Sequence, residues 1–208
     1  MGSAMMKHEW FTIRRKSAQR GFTLIEVMIS IVILSIGLLA LVAAFGAALA
    51  ATQKAQSDLI ARQKATQTME SIYTARETGE ITFNQIANVS AGGIFVDGAK
   101  PMLCAGPDGL IGTADDGPCT NPQTGAACPN GGVECLTLPG PDGIMGTADD
   151  QLISLANYTR TITIANVLNP DGTVNPNLRQ LTVTATYTQP GTKTERTYTA
   201  NALISAFR

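Results

Sequence analysis

Residues 22–51 are apolar almost without a break, and Glu26 is the only ionisable side chain among them. At 1.5 Å of rise per residue such a run can cross a bilayer as a helix. No proline interrupts the chain from Phe22 to Arg76, so the pattern predicts one long helix over 22–76. Its character changes part-way. Beyond residue 53, Ala55, Leu59, Met69, Ile72 and Tyr73 recur at roughly helical spacing, with Lys54, Asp58, Arg62, Lys64 and Glu70 between them. This second half is expected to lay one face on a globular domain. Gly37 and Gly46 are weak points, each costing about 1 kcal/mol relative to alanine in a helix. They mark either places where the helix can melt or points of close helix–helix contact. Gly79 is a plausible stop.

The C-terminal third has a different period. Residues 158–164, 181–187 and 196–202 alternate apolar and polar positions and are rich in β-branched side chains, which predicts antiparallel strands. Asn169-Pro170-Asp171-Gly172 and Gln189-Pro190-Gly191 are the turn signals between them. The inward set would be Ile162, Ile164, Leu181, Val183, Ala185 and Tyr187. A short strand is possible over 93–96, and little regular structure is expected in the Gly/Pro/Asp-rich stretch 101–151. The expected fold class is therefore α+β, a long N-terminal helix whose second half packs on a C-terminal antiparallel sheet. The expected divisions are a leader at 1–21, an apolar helix half at 22–53, and a globular domain at 54–208 carrying the 101–151 insert.

Charge adds an orientation. Lys7, Arg14, Arg15, Lys16 and Arg20 against Glu9 give residues 1–21 a net charge of +4, whereas the whole chain is −1 and the remainder therefore −5. A basic segment ahead of an apolar run stays on the cytoplasmic side, and the acidic remainder faces away from it. No basic patch exists outside the leader, so no nucleic-acid partner is expected. The four cysteines, Cys104, Cys119, Cys128 and Cys135, all lie in the insert. An even count in an exported domain predicts two disulfides; a zinc site is the rival, but C-x-x-C pairs are missing. Of three connectivities, Cys104–Cys119 with Cys128–Cys135 closes short local loops, and the nested pairing is the alternative.

The sequence Arg20-Gly21-Phe22-Thr23-Leu24-Ile25-Glu26 resembles the class III signal of type IV prepilins and pseudopilins. A plain membrane anchor and a secretory signal peptide are the simpler readings, the latter disfavoured by the length of the apolar run. The resemblance implies cleavage between Gly21 and Phe22 by a membrane prepilin peptidase, which also N-methylates Phe22. It implies that Glu26 pairs with the terminal amine of a neighbouring subunit and sets the filament register. A carboxylate within a membrane helix costs roughly 2.5–3.5 kcal/mol, which suggests a partner for Glu26; the alternative is a helix-start carboxylate favoured by the helix dipole. The implied partners are other pilin or pseudopilin subunits, the peptidase, the inner-membrane assembly platform and membrane lipid. The implied locations are the bacterial inner membrane before assembly and a periplasmic or surface filament after it. Residues 33–39 and the C-terminal strands resemble V-type minor pilins and I-type minor pseudopilins.

Within the insert, residues 106–116 (GPDGLIGTADD) recur as 140–150 (GPDGIMGTADD), identical at nine of eleven positions. Each copy offers three carboxylates, Asp108, Asp115 and Asp116 or Asp142, Asp149 and Asp150, on a glycine-rich turning chain. Such oxygen-rich loops suit calcium, although two solvated turns are the plainer reading. The phrase resembles the calcium loop near the C-terminus of major pseudopilins, here carried twice and mid-chain. No catalysis is expected. His8 is the only histidine and, like Trp10, precedes the cleavage site, which removes histidine-based mechanisms from the processed chain. The favoured function is a filament subunit, minor rather than major. The alternatives are a membrane-anchored calcium-binding adhesion module that never polymerises and, more remotely, a hydrolase using the paired aspartates.

Overall fold

A computed structural model of the chain describes residues 21–121, 124–189 and 193–207. The leader's basic side chains and Pro190-Gly191 of the second turn lie outside the described residues. The chain divides into two units, Met1–Ala48 and Leu49–Arg208. One helix, α1 (Leu24–Thr78), runs through both sequences; it is the only described element long and apolar enough to cross a membrane.

In the first unit, residues 24–48 of α1 are exposed on every side. Thr23 opens the helix: its hydroxyl and carbonyl accept from the Glu26 N–H at 3.3 and 3.1 Å, an N-cap that satisfies an otherwise orphan donor. The hydroxyls of Ser30 and Ser35 return to the carbonyls of Glu26 and Ile31, each at 2.7 Å. Both polar groups are thus satisfied within the helix, and no neighbour is needed to spend a hydrogen bond on them. A methyl group at Gly37 or Gly46 would meet nothing within 4 Å.

In the second unit, α1 buries Ser57, Ile60, Ala61, Lys64, Ala65, Thr68, Ile72 and Ala75. This differs from the face expected from the large apolar residues. Ala55 and Leu59 are exposed, Met69 and Tyr73 lie at the margin, and Lys64 is buried. Small side chains account for the difference: Ala61, Ala65 and Ala75 are almost wholly inaccessible, because alanine lets other elements approach the helix axis closely. Lys64 tolerates burial because Glu134 pairs with it closely and the Gln67 side-chain oxygen lies 3.1 Å away. Gly79, with φ +84°, ends the helix in the left-handed conformation, and the Ile81 N–H returns to the Ala75 carbonyl at 3.2 Å.

The sheet contains β1 (Lys100–Pro101), β4 (Tyr158–Leu168), β5 (Val174–Thr188) and β6 (Glu195–Ser205), antiparallel in the order β1-β4-β5-β6. All three predicted strands are present and longer than their alternating cores. The Asn169–Gly172 turn joins β4 to β5, with the Gly172 N–H on the Asn169 carbonyl at 2.9 Å. The register pairs Ile162 with Val183, Ile164 with Leu181 and Tyr158 with Tyr187. The inward set is buried except Ile164, which is only partly so. Together with α1 these side chains form one core that includes Ile72, Phe95, Met102 and Leu155. Helix and sheet are also tied by polar contacts: the Tyr73 hydroxyl donates to the Leu203 carbonyl and the Arg76 guanidinium to the Ala206 carbonyl, both at 2.6 Å. The opposite sheet face is a lattice of hydroxyls, in which Thr161, Thr184 and Thr199 stand side by side on three strands.

The insert is more regular than its composition predicts. It supplies β2 (Cys135–Leu138), which pairs with β3 (Gln151–Ser154) at the insert's end in a two-stranded ribbon. The expected strand at 93–96 is not formed: Phe95 makes a single bridge to Asn88, and the Val96 N–H goes to the Gly112 carbonyl at 2.8 Å. Its backbone is claimed by turns, so no ladder can propagate. Disulfides join Cys104 to Cys119 and Cys128 to Cys135.

Candidate functional site

The two copies of the aspartate phrase adopt the same local structure. Asp108 and Asp142 each accept from the N–H two residues on, Leu110 and Ile144, at 2.8 Å, an Asx turn. Asp115 and Asp149 accept from the N–H groups of Asp108 and Asp142 at 3.3 Å. They also accept from the hydroxyls of Thr113 and Thr147 at 2.7 and 2.6 Å. Asp116 and Asp150 accept from the N–H groups of Gly112 and Gly146 at 2.7 and 2.6 Å. The hydroxyl bonds hold the Asp115 and Asp149 carboxyls below the ordinary carboxylate range, because a donated hydrogen bond favours the ionised form.

Their surroundings differ. In the first copy Leu110 is buried, and Asp116 stands 3.6 Å from the guanidinium of Arg160. Burial pushes the Asp116 carboxyl up despite the Gly112 N–H and Arg160, and pushes the Arg160 guanidinium down. Arg160 also reaches the Thr68 hydroxyl at 3.5 Å and the Leu103 carbonyl at 3.4 Å. In the second copy, at the end of the β2–β3 ribbon, Ile144 and Met145 are exposed. Asp150 has no ion-pair partner among the described residues, and its Oδ1 is buried without a hydrogen-bond donor. Among the described residues, no three Asp, Glu, His or Cys side chains converge closely enough to hold a metal as they stand.

Two ion pairs, each of a buried cation with a partly buried acid, anchor the insert, and each takes its acid from beside a disulfide. Asp116 lies within the Cys104–Cys119 loop and meets Arg160; Glu134 adjoins Cys135 and meets Lys64. Neither pair was foreseen from sequence. Lys64 sits among ordinary solvated charges, and Arg160 falls at an inward strand position whose only signal is a cation between Tyr158 and Ile162.

At the other end of the chain, Gly21 and Phe22 precede α1 outside any regular element, and Phe22 is 81% exposed. Glu26 occupies the third position of the helix and is exposed in its first turn. There the partial positive charge of the helix N-terminus favours its carboxylate. Phe22 and Glu26 are thus four residues apart on an accessible terminus. Residues 16–42 match the family model of the prokaryotic N-terminal methylation motif. The N-terminal segment is pilin-like. No curated protein and no solved structure matches the chain.

The pilin-like segment implies processing by a prepilin peptidase and assembly with other pilin subunits. Its class III signal and apolar helix fit a membrane-anchored pilin. Sequence reading overlooked Thr23, which caps the pilin-like helix. The signal was present as Thr23-x-x-Glu26, the spacing of a capping box.

Proposed function

We propose that the chain is a minor subunit of a type IV pilus or a type II secretion pseudopilus. It would be held in the inner membrane by α1 until it enters the filament. The observation that carries this reading is the state of residues 24–48, where no face of the helix is buried and Glu26 is the only ionisable group. Such a helix needs an apolar surrounding on all sides, which a bilayer supplies before assembly and neighbouring helices supply afterwards. A carboxylate kept in that surrounding needs a cation, and cleavage after Gly21 creates one at the Phe22 amine. The test is mass spectrometry of the N-terminal peptide from membrane and filament fractions. A chain beginning at methylated Phe22 is expected; an intact leader in both fractions would overturn the reading. In the rival reading of an anchored adhesion module, the same helix stays in the bilayer and Glu26→Ala is harmless.

For the duplicated loops we propose calcium at the second copy, with Asp142, Asp149 and Asp150 as the residues that would hold it. The unpartnered Oδ1 of Asp150 supports this; in the first copy Arg160 already stands beside Asp116. Calcium takes six to eight oxygens, so the three carboxylates would have to close in and carbonyls complete the shell. Calorimetric titration of the full chain in detergent is expected to show one site that Asp149→Asn removes. Absence of binding heat, or an unchanged site in that variant, would discard the proposal.

A further inference from the structure

The duplication supplies its own internal comparison. One phrase, folded the same way twice, has the leading residue of its apolar tip buried in one copy and bare in the other. In the first copy Leu110 is only 3% exposed, and the loop lies so tightly against the core that a methyl at Gly112 would strike Ile162, with Phe95 next beyond it. In the second copy Ile144 and Met145, which match Leu110 and the half-buried Ile111, are 60% and 48% exposed. The first copy thus shows what receives this phrase: an apolar seat made by Phe95 and Ile162, beside a guanidinium that meets the last aspartate.

The second copy has neither seat nor cation within the chain's described residues. Its charge is also one-sided, since residues 135–157 contain Asp142, Asp149 and Asp150 and no lysine, arginine or histidine. Single exposed apolar residues are ordinary on protein surfaces. Two adjacent ones at the end of a ribbon fixed at its base by Cys128–Cys135 and the Lys64–Glu134 pair are a different arrangement. The one-sided negative charge of this tip calls for a cationic surround, as Arg160 provides beside the first copy.

We propose that the Ile144–Met145 tip docks into a neighbouring subunit of a different chain, in an apolar hollow rimmed by lysine or arginine, because the matching seat in every copy of this chain is already filled by its own first loop. The proposal rests on the filament-subunit reading above. The contact is small, so it specifies which subunit sits alongside rather than holding the assembly by itself.

The test places a photoreactive phenylalanine analogue at position 145 of the full chain in cells with a working filament system. A control carries it at Leu168, an apolar residue on β4 that is 61% exposed. Irradiation is done with a calcium chelator present, so that a metal-loaded loop cannot be the cause of contact. The expected result is an adduct from position 145 and not from 168. Mass spectrometry should map it to a peptide of another subunit bearing apolar residues beside a lysine or arginine. The substitution Ile144→Asp, made with the analogue still at 145, should lower the yield at least tenfold without moving the melting temperature. No adduct, equal yields at the two positions, or an adduct to lipid or to a second copy of this chain overturns the proposal. Filament incorporation and Phe22 methylation are scored in the same cells, so incorporation without an adduct rejects the docking site and leaves the filament reading standing.

Discussion

The two stretches of α1 invert the usual relation between hydrophobicity and burial. Residues 24–48 carry most of the large apolar side chains of the helix and bury none of them within the chain. Residues 49–78 are far more polar and bury a face that includes a lysine, a serine and a threonine. The first stretch is written for surroundings the chain does not itself provide. The second is written for one particular surface: alanines where other elements come close, and Lys64 where Glu134 waits. Apolar content therefore reports the solvent a segment needs, whereas burial reports the partner it already has.

The sharpest way to break this comparison is at Glu26. If the first stretch is an assembly surface, Glu26→Ala abolishes incorporation into filaments while the protein still accumulates in the membrane and melts normally. Sheared-filament yield and a detergent melting curve read the two outcomes. Normal incorporation would mean that the carboxylate serves only the helix start, where the dipole effect is about 0.3–1 kcal/mol.

Next in size is the buried pair of the second stretch. Glu134→Ala leaves the Lys64 ammonium buried and uncompensated, which should cost about 3–5 kcal/mol. Removing both charges with Lys64→Met and Glu134→Leu should recover most of that loss. Thermal unfolding of the single and double variants provides the measurement. Equal destabilisation in both would show that Lys64 serves by packing its chain rather than by its charge. A matched pair of truncations compares the stretches directly. Ile72→Ala, at a wholly buried position, should cost about 2–5 kcal/mol. Leu39→Ala, at a position 70% exposed, should change stability by less than about 0.5 kcal/mol and show its effect only in filament yield.

What the sequence disclosed follows the same division. The apolar run, the methylation motif that spans Gly21–Phe22, and the alternating strands rest on local pattern and were all legible. So was the local disulfide pairing as the favoured one of three. The packing face of α1 was not, because large side chains were counted as core and alanines as neutral, whereas close approach selects the alanines. Arg160–Asp116 and Lys64–Glu134 were hidden for another reason. They join residues 44 and 70 positions apart, and no single-chain periodicity carries a long-range charge pairing. The different fates of the two loop copies were hidden too, since nine identical residues fold alike and only their surroundings separate them.

The smallest predicted effect uses those copies and the sign of their titrations. Asp115 and Asp149 titrate below their unfolded value because a threonine hydroxyl donates to each. The stability they contribute is present above about pH 3.8 and is lost as pH falls through their folded values. Asp116 titrates above its unfolded value because it is buried, so protonation as pH falls toward 3.8 favours the folded state and opposes that loss. Asp149→Asn should therefore flatten the acid limb of a melting-temperature profile. Asp116→Asn should steepen it, on top of a general destabilisation from leaving Arg160 without its acid. The two profiles together test whether the first loop is held by a buried charge and the second by its own hydrogen bonds. Parallel acid limbs in the two variants would mean that the copies do not differ in this way.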